Sequence, residues 1–270
     1  MIELDPGRFA PLIPALRAVP VNHLFARSVL ERCVDGRAWA DRLSSPSLCH
    51  VAHPYGMTLL FGDARAVDAA MLREHFDACR RVAHDQWMQP VGTGLAEAVD
   101  AVLDPQAAAP DAAPGGARVQ RYTRTNFRFD ALPRAPLEAP RGTVLRRIVA
   151  AEFALDGISV SPHRFWRDAR QFEAHGGGWC VERDGRLAAM AFASFRFDDQ
   201  LEIGVETRPE FRRRGYAWAA AARLIDECLG MGLEPVWSCR KENRGSYELA
   251  CSLGFEPAID IPYYRLPAAA

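Results

Sequence analysis

No two cysteines in this 270-residue chain stand at Cys-x-x-Cys spacing, although it contains seven, at positions 33, 49, 79, 180, 228, 239 and 251. An odd number of widely separated thiols argues against a zinc ribbon and against a disulfide framework, so they read as reduced thiols that mostly fill core. No stretch approaches the roughly 18 uninterrupted apolar residues that a membrane-spanning helix needs. Met1 to Pro6 lacks the basic and apolar regions of a secretory signal, which gives the expectation of a soluble cytoplasmic protein with no membrane partner. Excess charge is missing too. Thirty-three basic and 34 acidic side chains leave a net charge of −1, so no long-range field draws in a polyanion and no nucleic-acid partner is expected.

What is present suits one large domain or two modest ones. Residues 104–117 are almost entirely Ala, Pro and Gly, with nothing large to bury, and read as a solvated connection. They divide the chain into a mixed α/β part over 1–104, a linker over 105–117 and a second part over 118–270. In the first part, apolar spacing predicts helices over 22–33, 67–82 and 95–103 and two strands over 47–53 and 57–61 around Pro54-Tyr55-Gly56. Cys49, His50 and His53 invite a metal, but a strand sends residues three apart to opposite faces and no further ligand follows at finger spacing. No metal site is expected. After the linker, residues 122–129 look extended, with Phe127 and Phe129 on one face. Arg118, Arg121, Arg124 and Arg128 read as charges that keep an exposed strand soluble.

The remainder says most. Residues 143–149 read as a strand, and Ser161-Pro162 opens a predicted helix towards Ala174. Strands over 179–183 and 186–197 are joined by Asp184-Gly185, a strong hairpin signal. A third strand over 200–207 carries Leu201, Ile203 and Val205 on one face and Glu202 and Glu206 on the other. Gly204, mid-strand, marks either a tight sheet contact or a bulge with room for a ligand. Arg212-Arg213-Arg214-Gly215-Tyr216-Ala217 then runs into a helix striped by Trp218, Ala221, Ala222, Ile225 and Leu229 and ended by Gly230. A strand, a short turn with three arginines and a glycine, and a helix N-terminus make an anion site whose natural guest is a phosphate or pyrophosphate. A strand over 235–239, a helix over 244–253 and a last extended segment follow.

Arg212-Arg213-Arg214-Gly215-Tyr216-Ala217 matches the Arg/Gln-x-x-Gly-x-Gly/Ala signature of the GNAT superfamily of acyl-CoA-dependent N-acyltransferases. Asn243-x-x-Ser246…Leu249…Leu253-Gly254-Phe255 is similar to that family's second motif. Residues 143–266 therefore resemble a GNAT domain. Glu202-Ile203-Gly204-Val205-Glu206-Thr207 and the extra N-terminal half further resemble the two-part GNAT acetyltransferases that include a zwittermicin-resistance enzyme.

The resemblance implies an α+β GNAT fold: a mostly antiparallel central sheet with splayed strands and flanking helices, preceded by an N-terminal α/β half. It implies acetyl-CoA as co-substrate, with the backbones of Val205 and Thr207 bonding pantetheine as an added strand. Amides from Arg213 to Ala217, beside Arg212 and Arg214, would hold the pyrophosphate, and Asn243 would reach the pantetheine arm. Direct attack by an amine needs a base, for which the resemblance points first to Glu202 and then to Glu206. Either carboxylate could instead bind a cationic substrate. Where many relatives carry a tyrosine as general acid, this chain has Ala250. His163, Trp166 and His175 flank the segment that usually walls the acceptor pocket.

The leading expectation is an N-acetyltransferase acting on a small-molecule amine. The alternatives are an acyl-CoA-binding regulatory module and an acetyltransferase for protein lysines or N-termini. The N-terminal half is open to three roles: covering the acceptor pocket, building a homodimer, or standing as a degenerate second copy of the same fold.

Overall fold

A computed structural model describes residues 1–66, 68–82, 84–107, 118–133, 138–155 and 157–268. In chain order the elements are β1 (Ile2–Glu3), α1 (Ile13–Arg17), α2 (Leu24–Leu30), β2 (Arg37–Ala40), β3 (Leu48–Ala52), β4 (Met57–Gly62), α3 (Ala69–Cys79), β5 (Gln86–Val91), α4 (Leu95–Leu103), β6 (Gln106–Ala107) and β7 (Gln120–Phe129). They continue with β8 (Thr143–Arg147), α5 (Ala169–Gln171), β9 (Gly178–Arg183), β10 (Arg186–Phe197), β11 (Gln200–Thr207), α6 (Tyr216–Gly230), β12 (Glu234–Arg240), α7 (Arg244–Ser252) and β13 (Phe255–Leu266).

The chain forms two compact units, and they do not follow a cut at 105–117. The first holds residues 1–126, 239–244 and 259–270; the second holds 127–238 and 245–258. Strands β7, β12 and β13 therefore have residues in both. Of the predicted linker, residues 108–117 lie outside the described residues, while Gln106 and Ala107 pair with the start of β7.

In the first unit the strand order is β1-β2-β3-β4-β5-β13-β7. Strands β2, β3 and β4 are antiparallel neighbours, and α3 then crosses to β5, which runs parallel to β4. The short strands β2 and β5 carry no clean alternation and were not anticipated from the sequence. The core gathers Leu48, Leu60, Phe76 and Met88, all fully buried; a side chain of that size contributes about 1.5–3 kcal/mol when taken out of water. Strand β7 corrects the expectation of an exposed strand. Tyr122, Arg124, Thr125, Asn126 and Phe127 are buried. The Arg124 guanidinium lies 5.1 Å over the Tyr263 ring, while Arg121 sits 3.5 Å from Asp100 and, in the second unit, Arg128 donates to Glu256. Only Arg124 is taken inside, where the Tyr263 ring meets it; Arg118, Arg121 and Arg128 are exposed, as expected of charges on a strand surface.

The second unit repeats the same succession of connections. Its order is β12-β11-β10-β9-β8. Strands β9, β10 and β11 form the antiparallel meander, with Asp184 and Gly185 at φ 52° and 71° in the hairpin turn, and α6 crosses to β12, parallel to β11. Four consecutive buried alanines, Ala219 to Ala222, together with Ile225 and Cys228, form the packed face of α6. The predicted stripe was set a little to one side: Leu229 is exposed and Trp218 half-buried. Between β8 and β9 there is no single helix over 161–174. A 3-10 turn (Pro162–Arg164) ends, Asp168 caps the short α5 through its carboxylate, and a π-turn (Phe172–Gly176) follows. The cap restarts the chain where the sequence pattern alone reads continuously.

Candidate functional site

The site begins where β11 and β12 part. Their parallel pairing covers only Gln200–Glu234, Leu201–Pro235 and Glu202–Val236. In the first unit the corresponding strands β4 and β5 stay paired over five positions, from Met57–Trp87 to Phe61–Val91. Beyond Glu202 the edge of β11 that faced β12 is left without a ladder partner within its unit, and Val205 lies on that open length. An unpaired length of strand edge accepts an extended ligand as it would accept a strand.

Glu202 sits at the fork with 6% of its surface exposed, and Ser238 Oγ, on the diverging β12, donates to its Oε1 over 3.3 Å. The carboxylate is therefore almost fully buried at the point where the two strands part. Gly204 does not carry a bulge. The register shift falls opposite, on β10, between Ala193 and Phe195. A Cβ at Gly204 would collide with Ser194 Oγ and the Phe192 ring, so this glycine is a tight sheet contact and β11 keeps its alternation.

Glu206 shares a face with Glu202 but is occupied differently. Its Oε2 accepts from Ser159 N–H (3.2 Å), Ser159 Oγ (2.6 Å) and Val160 N–H (3.0 Å), and its Oε1 accepts from Thr207 N–H (3.1 Å). It anchors the 159–160 segment. Thr207 is thereby engaged on both sides, since its carbonyl also accepts from Arg212 Nε over 3.3 Å. Of the two backbones expected to meet pantetheine, Val205 is presented on the open edge and Thr207 is held by its neighbours.

After β11 a 3-10 turn (Pro209–Phe211) leads into the arginine loop. Arg213 and Gly215 both adopt left-handed backbone, φ 59° and 78°, and Gly215 is the N-cap of the 15-residue α6. Arg212, before them, is extended, and the first turn of the helix that follows Gly215 leaves its N–H groups without intrahelical acceptors. A Cβ at Gly215 would meet nothing within 4 Å, so the cradle is open. Residues Arg212, Arg213, Arg214 and Gly215 are exposed; Tyr216 and Ala217 begin the helix, with the Tyr216 ring buried. These features fit a pyrophosphate: an open turn with two left-handed residues, a helix N-terminus and cations beside it.

The sequence did not single out Arg183 and Arg186. Arg183 Nη1 donates to the Tyr216 hydroxyl (3.4 Å), which with Asp184 holds that guanidinium above its ordinary pKa. Arg186 bridges to Glu210 at 2.7 Å and lies over the Phe211 ring, as Arg214 does from 5.9 Å. Both come from strands β9 and β10, so only the sheet brings them to the loop.

The remaining candidates are dispersed. Asn243 belongs to the first compact unit, where its N–H closes a turn onto Arg240 C=O before α7. Ala250 is fully buried, so that helix position faces packing. Tyr247 packs its ring against Phe127, while Cys251 and Ser252 are exposed. His163 is tied to Ser161 Oγ at 2.7 Å, Trp166 Nε1 donates to Ala193 C=O at 2.7 Å, and His175 is exposed on the π-turn. No helix among the described residues is long and apolar enough to cross a membrane.

A mostly antiparallel sheet with one splayed parallel pair, followed by an arginine turn at a helix start, defines the GNAT class of fold. The comparisons agree with it. The GNAT acetyltransferase family model matches residues 18–264, and the chain belongs to that family. The uncharacterized N-acetyltransferase YdfB of Bacillus subtilis (strain 168) is 24% identical over 254 residues, 89% of each chain. An N-acetyltransferase from the mutA 5′ region of Streptomyces virginiae is 30% identical over 83% of each. A GCN5-related N-acetyltransferase-like protein from Streptococcus suis superposes with a TM-score of 0.67 at 20% identity, covering 96% of this chain and 98% of its own. A tandem GNAT protein from the clavulanic acid pathway gives 0.60 at 13% identity, covering 100% and 98%. Family membership supports acyltransferase activity.

Proposed function

We propose that this chain transfers an acetyl or other short acyl group from acetyl-CoA to an amine of a small molecule, by direct attack in a ternary complex, in the cytoplasm. The observation that carries the reading is the fork at Glu202: one unit opens its parallel strand pair after three residue pairs, with a buried carboxylate at the opening, while the other keeps its pair closed. Acetyl-CoA would supply the acyl group as an activated thioester. The N–H groups of residues 213–217 and the guanidinium groups of Arg212, Arg213 and Arg214 bind its pyrophosphate, and the Val205 backbone guides the arm along β11. Thr207 joins when Glu206 and Arg212 give up its N–H and carbonyl.

An amine reaches neutral pH protonated and must lose that proton before it can attack. Glu202 takes the proton, and Ser238 orients the carboxylate. Glu206 acts through Ser159 and Val160 by holding the adjacent segment in place. Position 250, where many relatives carry a tyrosine acid, is a buried alanine, and water protonates the departing thiolate.

The test is release of free thiol from acetyl-CoA across a panel of small amines. Amine-dependent release supports transfer. The buried Ala250 favours one second reading, an acyl-CoA-binding regulatory module. A rise in melting temperature with acetyl-CoA, without thiol release for any amine, would favour that module.

A further inference from the structure

We propose that His50, His75 and Cys79 form a buried site for a monovalent thiophilic cation, with copper(I) as the probe, separate from the acyl-transfer site. His50 comes from the middle of β3. His75 and Cys79 lie one turn apart on α3, so both face the same strand. His50 Nδ1 is 2.7 Å from His75 Nε2; Cys79 Sγ is 3.5 Å from His75 Nε2 and 4.0 Å from His50 Nδ1. All three residues are buried, at 0%, 5% and 6% exposure. A point equidistant from these three atoms lies about 2 Å from each, the length of a metal–imidazole bond and slightly short for metal–sulfur.

The surroundings hold the donors in place without engaging them fully. Trp39 stacks on the His50 ring at 5.3 Å and meets His75 edge-on at 5.2 Å. The two imidazoles stand at 87° to one another, and His50 Nε2 has no hydrogen-bond partner among the described residues. The ring is fixed by stacking and by the Nδ1 side alone. Three polar side chains in a core of Leu48, Leu72 and Phe76 are a poor exchange for hydrocarbon unless something binds them together.

Charge selects the cation. No carboxylate is among the ligand atoms, and the neighbouring Glu3 is already paired with Arg37 at 2.7 Å. One thiolate neutralises a monovalent ion, whereas a divalent ion would leave a net positive charge in a buried site. Two imidazoles and a thiolate in a trigonal set suit a soft d10 ion, which does not require a fourth ligand. Binding forms two N–metal bonds and one S–metal bond; the ring proton of the His50–His75 hydrogen bond moves to the outer nitrogen of its own imidazole, the Cys79 thiol proton goes to solvent, and the ion keeps its oxidation state. The sequence missed the site because the spacing of His50 and His53 draws attention to the wrong pair. His53 lies beyond the end of β3, where its Nδ1 accepts from Tyr55 N–H at 3.1 Å, and the partners of His50 lie 25 and 29 residues away.

The experiment titrates the full, reduced, metal-free chain anaerobically with copper(I) held by a chromophoric chelator, with zinc(II) as a parallel arm. One equivalent should bind, and X-ray absorption should report two imidazole nitrogens and one sulfur. Cys33→Ser and Cys251→Ser, at the half-buried and exposed thiols, should leave this unchanged. Cys79→Ser should weaken binding more than about 100-fold, beyond the loss expected for an outer-shell partner. An all-sulfur spectrum, unchanged affinity in a Cys79→Ser chain with native circular dichroism, or tighter binding of zinc(II) than copper(I) would overturn the proposal. If Cys79→Ser does not fold, the ligand set seen by absorption in the unsubstituted chain decides.

Discussion

Glu202→Gln removes the charge at the fork and leaves its shape. Glutamine keeps an acceptor oxygen for Ser238 Oγ, 3.3 Å away, so the loss of fold stability should stay near about 1 kcal/mol, the net worth of one hydrogen bond. The kinetic effect should be much larger. A positioned general base is worth about 10²–10⁴-fold, and kcat should fall by that factor, about 3–5 kcal/mol in barrier. Acetyl-CoA affinity should change by less than about twofold, because a group acting on the amine alone makes no uniform contribution to binding. The assay is thiol release against pH, with acetyl-CoA binding measured separately by calorimetry. Unsubstituted protein should show kcat/KM rising with pH through the titration of its base, and the variant should lose that limb. An unchanged kcat with an unchanged pH profile would refute the role of Glu202, and abolished acetyl-CoA binding would make it a structural residue.

Gly215→Val should raise the acetyl-CoA dissociation constant more than about tenfold, since a side chain enters the open cradle and left-handed backbone costs about 1–2 kcal/mol away from glycine; unchanged affinity by calorimetry would remove the pyrophosphate assignment. Glu206→Ala frees the N–H groups of Ser159 and Val160, so proteolysis or hydrogen exchange at 159–160 should accelerate. A 100-fold fall in kcat with no loss of local protection would instead make Glu206 the base. Gly204→Ala overpacks Phe192 and Ser194 by about 1–3 kcal/mol, or about 2–10 °C in melting temperature for a chain of this size, and an unchanged melting temperature would refute the contact. Burial pushes His53 down to about 3. The folded state therefore binds fewer protons than the unfolded one between about pH 3 and 6.5, and stability should fall as pH drops through that window. His53→Asn, followed by denaturant titration at each pH, should lessen that dependence, with the remainder left by His50 and His75, which burial also pushes down.

The parts of the site that were legible in the sequence are those built by near neighbours. The arginine turn and the start of α6 are continuous in the chain, and a left-handed glycine before a helix leaves a mark in the residues themselves. The Asp184-Gly185 hairpin and α4 (Leu95–Leu103) are local in the same sense. The meander followed from alternation on β11, where Glu202 and Glu206 share a face. Their different employment did not follow, because Ser238 and Ser159 reach them from 36 and 47 residues away.

Short motifs carried the resemblance to the family, and local pattern by itself gave the hairpin, the meander and the arginine turn before a helix, because hairpin turns, helix starts and strand alternation are settled over a few residues. Tertiary structure alone decided where β11 and β12 part, why Gly204 must lack a side chain, and that Arg124 belongs to the interior beneath Tyr263. It also decided which thiol and imidazoles converge beside Trp39. Each of these depends on the register between strands or on the seating of a helix on a sheet. Those are fixed by the packing of residues far apart in the chain, which no window along it contains.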